Sequence, residues 1–149
     1  MVSPVRVLHY VNQFFGGFGG EEHANMPVQV KEGAVGPGRA LQGALGKDGS
    51  VIATIIAGDN HVVEEKATAM RAVREALQRF KPDVVVAGPA FEAGRYGLAC
   101  AEVCLEAQSQ GIPAVTGMYP DNPGVLAHRQ KIFCVPTGTS SEELAEVAK

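Results

Sequence analysis

Five short apolar runs, each about the length of a β-strand, alternate along the chain with segments of helical character. These runs cover residues 5–13, 50–57, 83–87, 112–116 and 131–135. The run at 83–87 is almost all valine, which is typical of a strand buried on both faces of a parallel sheet. Strands that alternate with helices predict an α/β fold, here a three-layer sandwich with a mainly parallel, Rossmann-like sheet of about five strands.

The segments between the runs predict the helices and loops. Apolar residues with a period of 3.6 predict one amphipathic helix over 62–80. Shorter patterns predict helices over 39–45 and 95–110, and a last helix that begins at Ser140 as its N-cap. Residues 23–38 contain two prolines and three glycines, so we expect them to form a loop.

Length and charge exclude several classes of protein. A chain of 149 residues has room for one domain, and we predict a single α/β domain over 1–149. Its net charge of −3 and lack of a basic run argue against binding to nucleic acid or to an anionic membrane. The apolar runs are far shorter than a membrane span of about 20 residues. No secretory signal opens the chain, so a cytoplasmic location is expected.

Glycine, aromatic and charged residues are concentrated in the loops that leave the predicted strands. Those loops contain GGFGGEE, GDN, GPAFEAGRYG and TGMYPDNPG, whereas the loops that enter strands, KPD and GIP, are short. The carboxyl ends of parallel strands share one edge of a sheet, where ligands bind in open α/β folds. The sequence therefore predicts a binding site at this edge.

The loop at 14–22 offers both backbone amides and carboxylates. Its glycines can adopt positive φ and turn successive N–H groups towards an anion. Glu21 and Glu22 have the wrong sign beside a phosphate and the right sign beside an amine. The spacing matches neither G-x-G-x-x-G nor G-x-x-x-x-G-K-[ST], so a nucleotide site is disfavoured. A glycine turn with no binding role is the alternative.

A second candidate element covers 88–97, where a strand ends and a helix begins. Backbone donors at a helix N-terminus and the guanidinium of Arg95 suit a carboxylate. The alternative is a helix-capping turn in which Arg95 pairs with a surface acid.

The cysteines and histidines point to structural roles. Cys100, Cys104 and Cys134 are expected in the core, since none has the setting that lowers a thiol pKa. His9 lies within a strand and is interpreted as structural. His23, His61 and His128 lie at unrelated positions that disfavour a metal site. We predict no catalytic residue, bound cofactor or metal in this chain.

Several of these segments together resemble the selenoprotein B subunit, or component B, of glycine, sarcosine and betaine reductases. Residues 9–22, HYVNQFFGGFGGEE, are similar to the opening HYxNQFFxGxGGEE of that family. The likeness continues through 32–38, 53–60, 87–97, 112–119 and 122–124, and so extends over nearly the whole chain.

The resemblance implies a part in reductive cleavage of the C–N bond of a small amino acid or its N-methylated derivative. In that family, a partner subunit carries a pyruvoyl group, a selenolate attacks the α-carbon, and selenoprotein A receives the carboxymethyl group. The family's selenocysteine lies in a later domain that has no match in residues 1–149. The chain is then either an amino-terminal domain, inactive alone, or a short stand-alone relative.

Two hypotheses follow for the loops at the strand ends. In the first they bind a zwitterionic amino acid or betaine, with its carboxylate on the glycine-loop amides or Arg95 and its ammonium near Glu21, Glu22 or Glu92. The expected substrate-binding residues are Gln13, Gly16, Gly17, Gly19, Gly20, Glu21, Glu22, Glu92, Arg95, Tyr96, Met118 and Tyr119. In the second, a non-catalytic interaction domain docks the pyruvoyl subunit or a second copy of itself. Its aromatic anchors would be Phe14, Phe15, Phe18, Phe91 and Tyr119.

Overall fold

Strand pairing organises residues 4–91, 93–118, 122–124 and 133–136, the part of the chain that a computed structural model describes. The strands of its sheet are β1 (Val5–Asn12), β2 (Gln29–Glu32), β3 (Gly49–Ala57), β4 (Val84–Phe91), β5 (Ala114–Met118) and β6 (Phe133–Pro136). The helices in this part of the chain are α1 (Gly38–Leu45), α2 (Asp59–Glu64), α3 (Lys66–Phe80) and α4 (Gly94–Ser109), with a short 3₁₀ turn at Glu21–His23.

The sheet has the order β2-β3-β1-β4-β5-β6. Every neighbouring pair is parallel except β2 with β3, which is antiparallel. The prediction of an α/β fold with a mainly parallel sheet is therefore confirmed, and the five predicted strands are the parallel ones. Among these five the chain runs from β1 outwards to β3 and then back across to β4, so the strand order reverses between β1 and β4.

Helices cover both faces of this sheet. Leu8 and Tyr10 of β1 share a buried apolar cluster with Val73 of α3 and Val103 of α4. Successive side chains of a strand point to opposite faces, and His9 accordingly faces the other way, against the first residue of α1. Full burial of an aliphatic side chain stabilises a fold by about 1.5–3 kcal/mol, so the face under α3 and α4 is a major source of stability.

Two predictions about local structure are wrong. Residues 23–38 are not all loop, because they contain the edge strand β2, whose sequence QVKE is mostly exposed and lacks an apolar pattern. The helix expected over 62–80 is two helices, interrupted at Glu65, whose φ is −114° and ψ 47°. Periodicity does not reveal this interruption because Val62 and Ala69, on either side of it, are both buried.

Strand ends also differ from the prediction. β4 continues four residues past the expected end at 87, through Gly88 with φ of +88°, and its register against β5 shifts between Ala87 and Phe91. Met118, expected in a loop, is the last residue of β5. Residues 131 and 132 of the last predicted strand, and the helix expected to begin at Ser140, lie outside the described residues. No helix in the described ranges is long and apolar enough to cross a membrane.

Candidate functional site

Gln13 joins two of the loops that leave the sheet at its carboxyl edge. Its Oε1 accepts a hydrogen bond from the backbone N–H of Asp59 at 3.2 Å, and its Nε2 donates to the carbonyl of Gly20 at 3.4 Å. The side chain is only 3% exposed. Gln13 therefore holds the glycine loop after β1 against the start of α2, which follows β3.

Asn12, the last residue of β1, makes a second connection between the same loops. Its Nδ2 donates to Oδ2 of Asp59 at 3.0 Å, and its Oδ1 accepts from the N–H of Phe15 at 3.0 Å. Asp59 is thus held at both its backbone N–H, which donates to Gln13, and its carboxylate, which accepts from Asn12.

A third connection brings in the loop after β4. Nη1 of Arg95 donates to Oδ1 of Asn60, the residue next to Asp59. Arg95 lies in the first turn of α4 and is exposed. The ends of β1, β3 and β4 are thus linked by side chains at the place where the strand order reverses, which is where ligands bind in open parallel sheets.

The glycine loop depends on conformations that other residues rarely adopt. Gly17 and Gly19 have φ of +86° and +135°. A Cβ at Gly19 would lie 2.5 Å from Cδ2 of His23, whereas one at Gly17 would meet nothing within 4 Å. Gly19 is therefore required for both its backbone angle and its close approach to His23, and Gly17 for its angle alone.

Glu22 is the one predicted carboxylate whose side chain the structure describes. Its Oε1 accepts from the N–H of Gly20 at 3.2 Å. Hydrogen bonds from its own backbone N–H and from Gly20 lower the pKa of this exposed carboxyl, so it is ionised at neutral pH. The side chain of Glu21 and the residues Glu92 and Tyr119 lie outside what is described.

Two tyrosines are buried directly beneath this edge. The ring of Tyr96 lies 6.2 Å from that of Tyr10 and 5.8 Å from that of Phe15, measured between centroids. Neither tyrosine hydroxyl makes a hydrogen bond of normal geometry with a described residue. Burial raises the pKa of both phenols, and Cys100 and Asp59 add to the shift, so both hydroxyls carry their protons at neutral pH.

The cysteine thiols near these tyrosines are not activated as nucleophiles. Burial raises the pKa of Cys100 well above its usual value and that of Cys104 to about 12, and it also raises the pKa of the half-buried Cys134. All three are therefore protonated at neutral pH, when only a thiolate is a good nucleophile. Cys100 and Cys104 lie in the core as predicted. Among the described residues, no group of three His, Cys, Asp or Glu side chains could hold a metal ion.

Asn122 fixes the segment that follows β5 onto the start of α4. Its buried Nδ2 donates to the carbonyls of Phe91 and Ala93, both at 3.0 Å, and its Oδ1 accepts from the N–H of Gly124 at 2.9 Å. A Cβ at Gly97 would lie 1.8 Å from that oxygen. Phe91 has φ of 54°, which a bulky residue rarely adopts, so Asn122 supports an unusual turn at the end of β4.

The predicted site residues that the structure describes divide into two groups. Gln13, the four predicted glycines and Glu22 lie on the loop after β1. Arg95 is connected to this loop through Asn60 and Asp59, at the start of α2. Tyr96 and Met118 are fully buried beneath the loops. Asn12, Asp59, Asn60 and Asn122 were not among the predicted site residues. Asp59 and Asn60 follow the predicted strand at 50–57, and Asn12 is the last but one residue of the predicted strand at 5–13, so a position near a strand end was the available signal.

The strand order makes this an α/β protein with a mainly parallel sheet, and its strand-end loops are linked by side chains where the order reverses. The sequence model of the family described as glycine/sarcosine/betaine reductase selenoprotein B matches residues 4–149. The chain belongs to this family.

Curated relatives agree with this assignment. The chain is 48% identical over 144 residues to sarcosine reductase complex component B subunit beta of Peptoclostridium acidaminophilum, a match that covers 96% of this chain and 33% of the relative. It is 48% identical over 141 residues to glycine reductase complex component B subunit gamma of Symbiobacterium thermophilum, covering 94% and 33%. Against betaine reductase complex component B subunit beta of P. acidaminophilum it is 35% identical over 142 residues, covering 95% and 32%.

The chain therefore spans about a third of the length of the curated relatives it matches. No solved structure matches it.

Proposed function

We propose that this chain is the substrate-binding part of a component B in a glycine, sarcosine or betaine reductase complex. The observation that carries the proposal is the set of side-chain hydrogen bonds that joins the loops after β1, β3 and β4 at one edge. By the family resemblance, the pyruvoyl group of a partner subunit and a selenocysteine outside residues 1–149 supply the bond-breaking chemistry, and selenoprotein A takes up the product. The part assigned to this chain is to bind and orient the zwitterionic substrate.

Arg95 is the group best suited to the substrate carboxylate. A guanidinium has five N–H donors in a planar fork, and one nitrogen of Arg95 is engaged with Asn60. This bond engages one nitrogen of a side chain that belongs to an exposed residue. Hydrogen bonds between a guanidinium and a carboxylate are about twice as strong as neutral ones.

The buried thiols support a binding role over a nucleophilic one. Cys100 and Cys104 are fully buried and protonated, so neither can attack a substrate at the strand ends. This agrees with a nucleophile that comes from another part of the complex.

The test is Arg95→Ala in the assembled complex. A hydrogen bond to a charged group contributes about 1.5–3 kcal/mol, so the KM for the amine substrate should rise about tenfold or more. Arg71→Ala is the matched control, because Arg71 is an exposed arginine on α3, away from the strand ends. Equal KM values for the Arg95 variant and the unmodified complex would contradict the proposal.

A docking role is the second candidate, and Phe14 favours it. This ring is 62% exposed at the carboxyl edge. The other described anchors are less available, since Phe91 is buried, Phe15 packs on Tyr96, and Lys31 lies 4.9 Å above the ring of Phe18. If docking is the main role, Phe14→Ser should release the chain from its complex in size-exclusion chromatography. Val63→Ser, at an exposed apolar residue of α2, is the control.

A further inference from the structure

Asn122 connects a fourth strand end to the site that contains Arg95. It lies in the segment after β5, and only 1% of its surface is exposed. We infer that Asn122 is a positioning residue for substrate binding, which fixes the turn before α4 so that Arg95 is presented to the substrate carboxylate. This inference rests on the proposed function, and it concerns a residue that acts through Arg95 without touching the ligand itself.

Asn122 holds the backbone just before Arg95 at two points. Its Nδ2 donates to the carbonyls of Phe91 and Ala93, which both precede Arg95 by one helical turn or less, at 3.0 Å each. The carbonyl of Ala93 also accepts the hydrogen bond from the N–H of Gly97 that closes the first turn of α4. Ala93 is the N-cap residue and makes no side-chain cap, so the amide of Asn122 is the side chain that fixes where α4 begins.

Close packing keeps Asn122 on this turn of the helix. A Cβ at Gly97 would overlap Oδ1 of Asn122, and a Cβ at Gly124 would overlap the carbonyl oxygen of Gly97. Oδ1 of Asn122 also accepts a hydrogen bond from the N–H of Gly124 at 2.9 Å. The segment 122–124 and the first turn of α4 therefore touch through their backbones, and a shift of Asn122 would be transmitted to the turn that carries Arg95.

The turn that Asn122 holds contains an unusual backbone conformation. Phe91 has φ of 54°, and a bulky residue keeps such a conformation only where the surrounding structure holds it in place. The hydrogen bond from Asn122 to the carbonyl of Phe91 is one of these restraints. Without it we expect the turn to relax and the start of α4 to move with it.

The other end of the Arg95 side chain is fixed separately. Its Nη1 donates to Oδ1 of Asn60, in the segment after β3. A long, flexible side chain loses rotamer freedom when it binds a ligand, and affinity is higher where that freedom has already been restricted. Asn122 fixes the backbone end of Arg95 and Asn60 its guanidinium end, so both contacts favour carboxylate binding.

The test is a double-mutant cycle of Asn122→Ala and Arg95→Ala in the assembled complex. KM and kcat are measured with whichever of glycine, sarcosine and trimethylglycine the complex reduces. Asn122→Ala should raise KM about threefold or more, with a smaller effect on kcat. In the Arg95→Ala background it should leave KM unchanged, because no guanidinium is then left to position.

Gln42→Ala is the matched control. The amide of Gln42 also makes hydrogen bonds to backbone groups, donating to the carbonyl of Gly49 and accepting from the N–H of Val51. These groups lie at the amino end of β3, at the opposite edge of the sheet from Arg95. Gln42→Ala should therefore lower stability in urea unfolding without changing KM.

Each outcome has a distinct meaning. If Asn122→Ala raises KM by the same factor with and without Arg95, leaves KM unchanged, or raises it no more than Gln42→Ala does, the inference is wrong while the substrate-binding role stands. If Arg95→Ala by itself leaves KM unchanged, the proposed function fails and the inference fails with it. Should the Asn122 variant not assemble, Gly97→Ala, whose Cβ would push the Asn122 amide aside, takes its place in the cycle.

Discussion

His9 makes the stability of this domain depend on pH in a predictable way. The residue is buried in β1, and its Nε2 donates to the carbonyl of Gly88 at 2.6 Å. The proton of the neutral ring is therefore on Nε2, and Nδ1 faces Gly38 with no hydrogen-bond partner among the described residues. A second proton would place a charged N–H there without an acceptor. Burial accordingly lowers the pKa of His9 to about 4, against the opposing effect of the Gly88 carbonyl.

The direction in which stability changes with pH follows from the pKa values of His9 in the unfolded and the folded chain. In the unfolded chain His9 takes up a proton near its ordinary pKa of 6.5, whereas in the folded protein it does so only near 4. Between these values the unfolded state binds more protons, so the contribution to stability is complete above about pH 6.5 and is lost as the pH falls. The loss from this group alone is about 2 kcal/mol by pH 5 and about 3 kcal/mol by pH 4, below which it levels off.

The assay is urea unfolding of this chain and of His9→Gln at pH 7, 5 and 4. Glutamine can still donate to Gly88 but does not titrate, so other acid-sensitive groups cancel in the difference between the two proteins. The advantage of the unmodified protein should shrink by about 3 kcal/mol between pH 7 and pH 4. A difference that stays constant with pH would refute the argument that burial keeps His9 neutral.

Two further predictions concern packing and thiol chemistry. Gly97→Ala should destabilise the fold by about 1–3 kcal/mol, as overpacking does, because the new Cβ would overlap Oδ1 of Asn122. Gly43→Ala, also within a helix but with nothing near its Cβ, is the control and should be neutral or stabilising in the same urea assay. Native protein should leave Cys100 and Cys104 unlabelled by iodoacetamide, as read by mass spectrometry, and full labelling should require denaturant. Rapid labelling of either residue in the native protein would show that the core opens.

Much of the fold could be predicted because the elements concerned have sequence patterns that depend only on nearby residues. The valine run of β4 and the apolar periodicity of α3 each depend on neighbours a few residues away. β2 could not be recognised in this way, because an exposed edge strand of four residues carries no apolar alternation. The interruption at Glu65 was equally hidden, since burial continues on the same side in α2 and α3.

The candidate site, too, could be predicted only in part from the sequence. Sequence alone was enough to place glycine-rich and charged loops at the carboxyl ends of parallel strands, because that edge follows from strand direction. It was not enough to show that Gln13 meets Asp59, 46 residues away, or that Arg95 meets Asn60, 35 residues away. These pairs, and the burial of Tyr96 and Met118 beneath the loops, depend on β1 lying between β3 and β4. Contacts between distant residues are fixed by how the strands are ordered in space, and no local pattern records that order.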